Sequence, residues 1–205
     1  MSRASIEVFA EIVCPFTHVG LRRIVARREA AGTDLPRLRL RAWPLEWVNG
    51  TPLDGTTVAR HVEELREQVE PGLFQGFDPA IMPMTSIPAF EVAAMAAAAG
   101  DEVGERVGRA LRDAFFEEGR DISDPHVLAE IRARFDLGEP DDSARRAVEA
   151  DYAEGCHRGV RGSPEYFLDG RGYFCPALEL QEVDGSLVIE GSGARFDEFL
   201  DVCFR

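Results

Sequence analysis

Two short apolar strand patterns flank one helix-length segment in the first 42 residues, and this β-α-β order restricts the chain to folds with a parallel strand pair. The run Ile6-Glu7-Val8-Phe9-Ala10-Glu11-Ile12-Val13 reads as a buried strand. Residues 21–31 read as a helix. Leu38, Leu40 and Ala42 then alternate with Arg37, Arg39 and Arg41 at a period of two. A helical crossover of this length makes the two strands parallel neighbours.

From about residue 56 to residue 155 the period changes to 3.6. Helices are expected over 57–69, ended by Pro71-Gly72, and from Ser86 as a cap, with Pro88 in the first turn and Gly100 past the end. Further helices are expected over 101–119, from the cap-proline pair Asp124-Pro125 to Phe135, and over 142–154. Residues 166–168 then read as a strand ending at the turn pair Asp169-Gly170. Residues 180–183 and 187–190 flank Asp184-Gly185 as a hairpin, and 196–204 read as a closing amphipathic helix. The order β-α-β, helices, β-β-α describes an α/β chain with a thioredoxin fold and an all-helical insertion. The expected division is 1–55 with 156–205 as one discontinuous thioredoxin-like domain, and 56–155 as the insertion.

The formal net charge of −14 argues against nucleic acid as a partner, since phosphate backbones require a basic surface. All 23 basic residues are arginine, which excludes a catalytic lysine. No run approaches the ~20 apolar residues that span a bilayer. The N-terminus lacks a secretory pattern. The expectation is a cytoplasmic protein, monomeric or homodimeric, with no membrane partner. A reducing compartment argues against a structural disulfide framework for Cys14, Cys156, Cys175 and Cys203. Their spacing, with His18, His61, His126 and His157 scattered, gives no metal site; the adjacency of Cys156 and His157 alone is weak evidence for zinc.

Cys14 sits where a strand hands over to a helix. Unpaired backbone N–H groups and the positive end of the helix dipole favour thiolate there, and helix-start cysteines have pKa values of about 3.5–7.5. A free cysteine is otherwise most often a small buried hydrophobe.

Several segments together resemble the DsbA-like branch of the thioredoxin superfamily, in particular its cytoplasmic oxidoreductases and, more distantly, 2-hydroxychromene-2-carboxylate isomerases and kappa-class glutathione transferases. Glu11-Ile12-Val13-Cys14-Pro15-Phe16-Thr17-His18-Val19-Gly20 is similar to the branch's acidic-x-x-Cys-Pro-Trp-Cys-Tyr-x-Gly segment. Phe116-Glu117-Glu118-Gly119-Arg120-Asp121-Ile122-Ser123-Asp124 is similar to its insertion signature. Gly159-Val160-Arg161-Gly162-Ser163-Pro164 resembles the turn carrying its cis-proline. Two departures matter most: Thr17 replaces the second cysteine, and Ser163 replaces the valine before the proline, with Glu165-Tyr166 following where threonine and another apolar residue are more usual.

The resemblance implies Cys14 as nucleophile, with Pro15 and Phe16 in its turn and the Ser163-Pro164 loop opposite it binding substrate or thiol. Thr17 cannot resolve a mixed disulfide. Its hydroxyl either donates to the Cys14 sulfur or serves the helix start. His18, one helical turn after Cys14, either tunes the thiolate and shuttles its proton or is simply exposed. Glu11 is either a buried proton acceptor or an exposed strand-end carboxylate. Trp43, in Trp43-Pro44-Leu45, lines the pocket in the family but is core by default. Cys156, Cys175 and Cys203 are remoter candidates to resolve Cys14.

These residues imply a thiol-disulfide oxidoreductase working as a monothiol. It would hold no permanent cofactor and would use glutathione or another low-molecular-weight thiol as co-substrate on a small disulfide or protein mixed disulfide. The alternatives are a thiol-cofactor-dependent isomerase or transferase, and a redox-inactive binding protein on the same fold.

Overall fold

The computed structural model describes residues 6–31, 37–183, 186–191 and 193–204. Strand β1 (Ile6–Ala10) passes through a short turn into helix α1 (Pro15–Ala30). The helix begins six residues before the expected start. Pro15 takes its first position, where the missing N–H costs nothing and φ is preset. Pro15, Thr17, His18, Val19, Gly20 and Leu21 are all buried, so these turns carry no amphipathic stripe to read.

Strand β2 (Leu38–Ala42) runs parallel to β1, in register from Ile6 opposite Leu38 to Ala10 opposite Ala42. Strand β3 (Glu165–Leu168) is antiparallel to β1, and β4 (Arg171–Phe174) to β3, giving the order β2-β1-β3-β4. The turn between the last two is Asp169-Gly170, with φ of 49° and 80°, the left-handed pair that a tight hairpin requires. Sequence reading found this turn but not the strand after it.

The hairpin expected near residues 180–190 forms as β5 (Leu178–Val183) and β6 (Ser186–Gly191), a separate sheet outside the main one. Its Asp184-Gly185 turn lies outside the described residues. Gln68 holds it from the helical block: Nε2 donates to Leu187 O at 3.1 Å, and Oε1 accepts from Ile189 N at 2.9 Å.

Between the two halves come α2 (Leu45–Asn49), α3 (Gly55–Gln68), a 3₁₀ turn (Pro79–Ile81), α4 (Ile87–Ala98), α5 (Asp101–Phe116), α6 (Pro125–Arg134) and α7 (Asp142–Arg158). Asp54, Asp124 and Asp141 cap α3, α6 and α7 by accepting first-turn N–H groups. Ser86 makes no such cap; the Ile87 N–H goes to Thr85 Oγ1 at 3.2 Å. Helix α7 runs past residue 155 to Arg158 and ends on Gly159 at φ 69°, so Cys156 and His157 lie in its last turn.

One apolar cluster joins the helical block to the β-unit, packing Phe74, Phe115, Phe116 and Ile122 with Ile12, Val13 and Val19. A fully buried phenylalanine contributes roughly 1.5–3 kcal/mol, so the three rings dominate this junction. Closing helix α8 (Ala194–Phe204) places Phe196, Phe199 and Leu200 in the second cluster with Ile6, Val8, Leu21 and Tyr166. The buried Arg28 guanidinium forks onto Glu105, which also accepts from Leu38 N at 2.7 Å, fastening α1 and β2 to α5.

Candidate active site

Cys14 is the N-cap of α1, in extended conformation (φ −88°, ψ 115°), and its carbonyl accepts the first helical bond, from His18 N at 3.2 Å. Its side chain caps nothing. The Sγ–H donates instead to Ser163 O at 3.3 Å, across the gap between the α1 turn and the loop before β3. The Ser163–Pro164 peptide is cis, and Pro164 O accepts from Cys175 N at 3.0 Å. The sulfur therefore sits against that loop, 4% exposed.

Thr17 is fully buried, and its Oγ1 lies 2.9 Å from Ser163 Oγ, which also accepts from Glu11 N at 2.8 Å. Cys14, Thr17, Ser163 and Pro164 thus meet at one point, with Pro15 in the first turn of α1. The Phe16 ring packs against the larger apolar cluster, its centroid 5.0 Å from that of His61 on α3.

His18 points elsewhere. Its Nε2 lies 2.6 Å from Glu117 Oε1, and its ring packs on Phe74 and Phe116. Only 2% exposed, it corrects the reading of an exposed histidine, and its bond runs to the insertion rather than the sulfur. Burial pulls the imidazole pKa down against the Glu117 hydrogen bond, which raises it. Burial also works to raise the Glu117 carboxyl, but bonds from His18, Phe74 N and Gln75 N prevail and hold it at about 2. The pair rests as neutral imidazole and carboxylate, with Nε2 carrying the donated proton. Glu117 is a residue that sequence reading quoted in a motif without giving it a role.

Glu11 is buried, not an exposed strand-end carboxylate. Oε1 accepts from Ile12 N at 2.7 Å and Val13 N at 3.4 Å, and Oε2 from Leu45 N at 2.8 Å. Burial pushes its pKa up against those N–H groups and the Ser86 hydroxyl. The carboxyl thereby ties the turn before Cys14 to the joint between β2 and α2.

Trp43 does not join this cluster. It packs against Phe9 and Tyr152, and a Cβ on Gly155 would meet its ring at 2.5 Å, so it belongs to the core. Of the remaining sulfurs, Cys156 is exposed on α7, while burial pushes the Cys175 and Cys203 thiols up to about 12. Among the described residues no His, Cys, Asp and Glu group is arranged to hold a metal ion, and no helix is long and apolar enough to cross a membrane.

A strand-to-helix cysteine facing a cis-proline loop, on a four-stranded sheet interrupted by helices, defines a thioredoxin-type protein. The chain matches the DSBA-like thioredoxin domain family model over residues 5–187, and it belongs to that family. It is similar in structure to the cytosolic disulfide reductase DsbM from Pseudomonas aeruginosa, with TM-score 0.61, 18% identity and 97% of each chain covered. That reductase solved with GSH matches with TM-score 0.61 and 19% identity over 83% of this chain and 88% of the other. A 2-hydroxychromene-2-carboxylate isomerase matches with TM-score 0.63 and 12% identity over the same shares. No curated protein matches the chain in sequence.

Proposed function

We propose that the protein is a monothiol disulfide oxidoreductase in which Cys14 is the nucleophile and an external low-molecular-weight thiol, glutathione or an analogue, completes turnover. One observation carries the reading: Cys14 Sγ lies 3.3 Å from Ser163 O of the cis-proline loop, while the hydroxyl of Thr17 stands where the family has a second sulfur.

The chemistry follows from having one sulfur. The Cys14 thiolate attacks the glutathione-side sulfur of a mixed disulfide, forming a Cys14–glutathione disulfide as the substrate thiolate leaves and takes up a proton. A second glutathione thiolate attacks that adduct, releasing oxidised glutathione and returning Cys14 as thiolate. The two steps sum to an exchange: the mixed disulfide and one free glutathione thiol give the substrate thiol and oxidised glutathione, with one disulfide consumed and one formed. Ser163, before the cis-proline, offers backbone groups to an extended substrate. The DsbM structure solved with GSH and the cytosolic setting in that protein's name support a small thiol as co-substrate and a cytoplasmic site of action.

Glutathione-coupled reduction of a small mixed disulfide tests this. Cys14→Ser is expected to abolish turnover, and undiminished turnover in that variant contradicts it. The hydroxyl pair Thr17 and Ser163 favours a second reading, in which the site holds the sulfur of a thiol cofactor for isomerisation or transfer. In that case Cys14→Ser keeps activity, since a hydroxyl still donates to a bound thiolate.

A further inference from the structure

Resting on Cys14 as the nucleophile, we propose that Glu165 is a positioning residue: clasped to Arg161, it holds the cis-proline loop where Ser163 meets the Cys14 sulfur. Glu165 is the first residue of β3, directly after Pro164, and is 2% exposed. Its backbone pairs with Phe9 on β1 and with Phe174 on β4, so it stands on the sheet itself. Both of its carboxylate oxygens bind one residue. Oε2 accepts from Arg161 N at 2.6 Å, and Oε1 accepts from Arg161 Nε at 2.9 Å and Nη2 at 2.6 Å. Bonds between ionised groups at this length are strong, and a planar guanidinium fixes direction as well as distance.

The clasp closes the chain across Gly162, Ser163 and Pro164, the stretch that faces the sulfur. Ser163 O accepts from Cys14 Sγ–H at 3.3 Å, and Pro164 O accepts from Cys175 N at 3.0 Å. Two glycines make room for it. A Cβ on Gly172 would meet Glu165 Oε1 at 3.0 Å. A Cβ on Gly162 would meet the Phe174 ring at 3.0 Å, and the Arg161 guanidinium lies 5.5 Å from the centroid of that same ring. Stability alone does not call for this carboxylate, because a buried ion pair often stabilises no more than neutral residues of similar volume. What a fork anchored in the sheet adds is a fixed place for the loop backbone. An extended disulfide that pairs with that backbone needs it, and a small alkylating agent does not.

The test compares KM for a peptide–glutathione mixed disulfide with the rate of iodoacetamide alkylation of Cys14, in a Cys156→Ser background that removes the exposed thiol. Glu165→Gln and Glu165→Thr, where they melt cooperatively, are expected to raise KM at least about fivefold, with kcat changed less than about twofold and alkylation no slower. Arg161→Met raises KM likewise, and its combination with Glu165→Gln is no worse than the worse single change, since each breaks the same clasp. An unchanged KM in a folded Glu165 variant overturns the proposal, as do additive effects of the two changes. So does alkylation that slows in step with turnover, because the sulfur itself would then be disturbed. If no Glu165 or Arg161 variant melts cooperatively, the pair belongs to the stability of the fold and the positioning role is overturned. Absence of turnover in the background protein sinks the monothiol reading instead. Hydrogen exchange over residues 160–168 then decides the clasp: faster exchange in Glu165→Thr is expected, and unchanged exchange overturns it.

Discussion

Thr17 Oγ1 lies 2.9 Å from Ser163 Oγ, so the residue that replaces the second cysteine touches the residue that replaces the valine before the cis-proline. The hydroxyl that replaces the second sulfur and the hydroxyl before the cis-proline form one unit, closed by Glu11 N on Ser163 Oγ. A bond between the buried Thr17 hydroxyl and the half-buried Ser163 hydroxyl contributes about 1 kcal/mol, and the Thr17 hydroxyl left alone is costlier still. Thr17→Val, nearly isosteric, is expected to cost roughly 1–2 kcal/mol in denaturant unfolding. The double change with Ser163→Ala is expected to cost less than the two single changes summed.

Restoring the missing sulfur probes the chemistry. Thr17→Cys creates Cys-Pro-Phe-Cys, and the new thiol is expected to resolve a Cys14 mixed disulfide from within. The lifetime of a Cys14 adduct without added thiol, followed by mass spectrometry, should fall at least about tenfold. An unchanged lifetime would show that the helix start does not bring the two sulfurs together.

The His18–Glu117 bond predicts a pH dependence of stability. The folded pKa of His18 is lowered, so the unfolded chain takes the proton first and stability declines as pH drops below about 6.5. Glu117 is held at about 2, so its contribution is present above about 4.5 and drains away as pH falls from there toward 2. His18→Gln keeps a donor for the carboxylate but does not titrate. Melting temperature should fall less steeply below about pH 6.5 in that variant, with His61 keeping its own share of the decline, and Glu117→Gln should make the limb below about 4.5 shallower, with Glu7 and Glu154 still contributing.

Glu11 accepts backbone N–H groups through both oxygens. In Glu11→Gln one of those oxygens becomes an NH₂ group that cannot accept, leaving a buried N–H unpaired at a cost of roughly 1–3 kcal/mol. Chemical unfolding checks the size. A neutral outcome would mean that the turn before Cys14 is held by other bonds.

The site was more legible in sequence than the way the insertion grips it. Cys14, Thr17, Ser163 and Pro164 are read from short contiguous motifs, because a strand-to-helix turn and a proline loop are local features. Strand β4 escaped because Arg171-Gly172-Tyr173-Phe174 is an edge segment with no alternation, ordered by its pairing with β3. Trp43 was assigned to the pocket by resemblance, and the close approach of Gly155 puts it in the core. Glu117 was missed because its partner, His18, is about a hundred residues away.

The most direct test is peptide mapping by mass spectrometry after exposure to oxidised glutathione. One glutathione adduct on Cys14, removed by reduced glutathione and absent in Cys14→Ser, is the expected result. Modification confined to the exposed Cys156, with Cys14 untouched, would contradict the account.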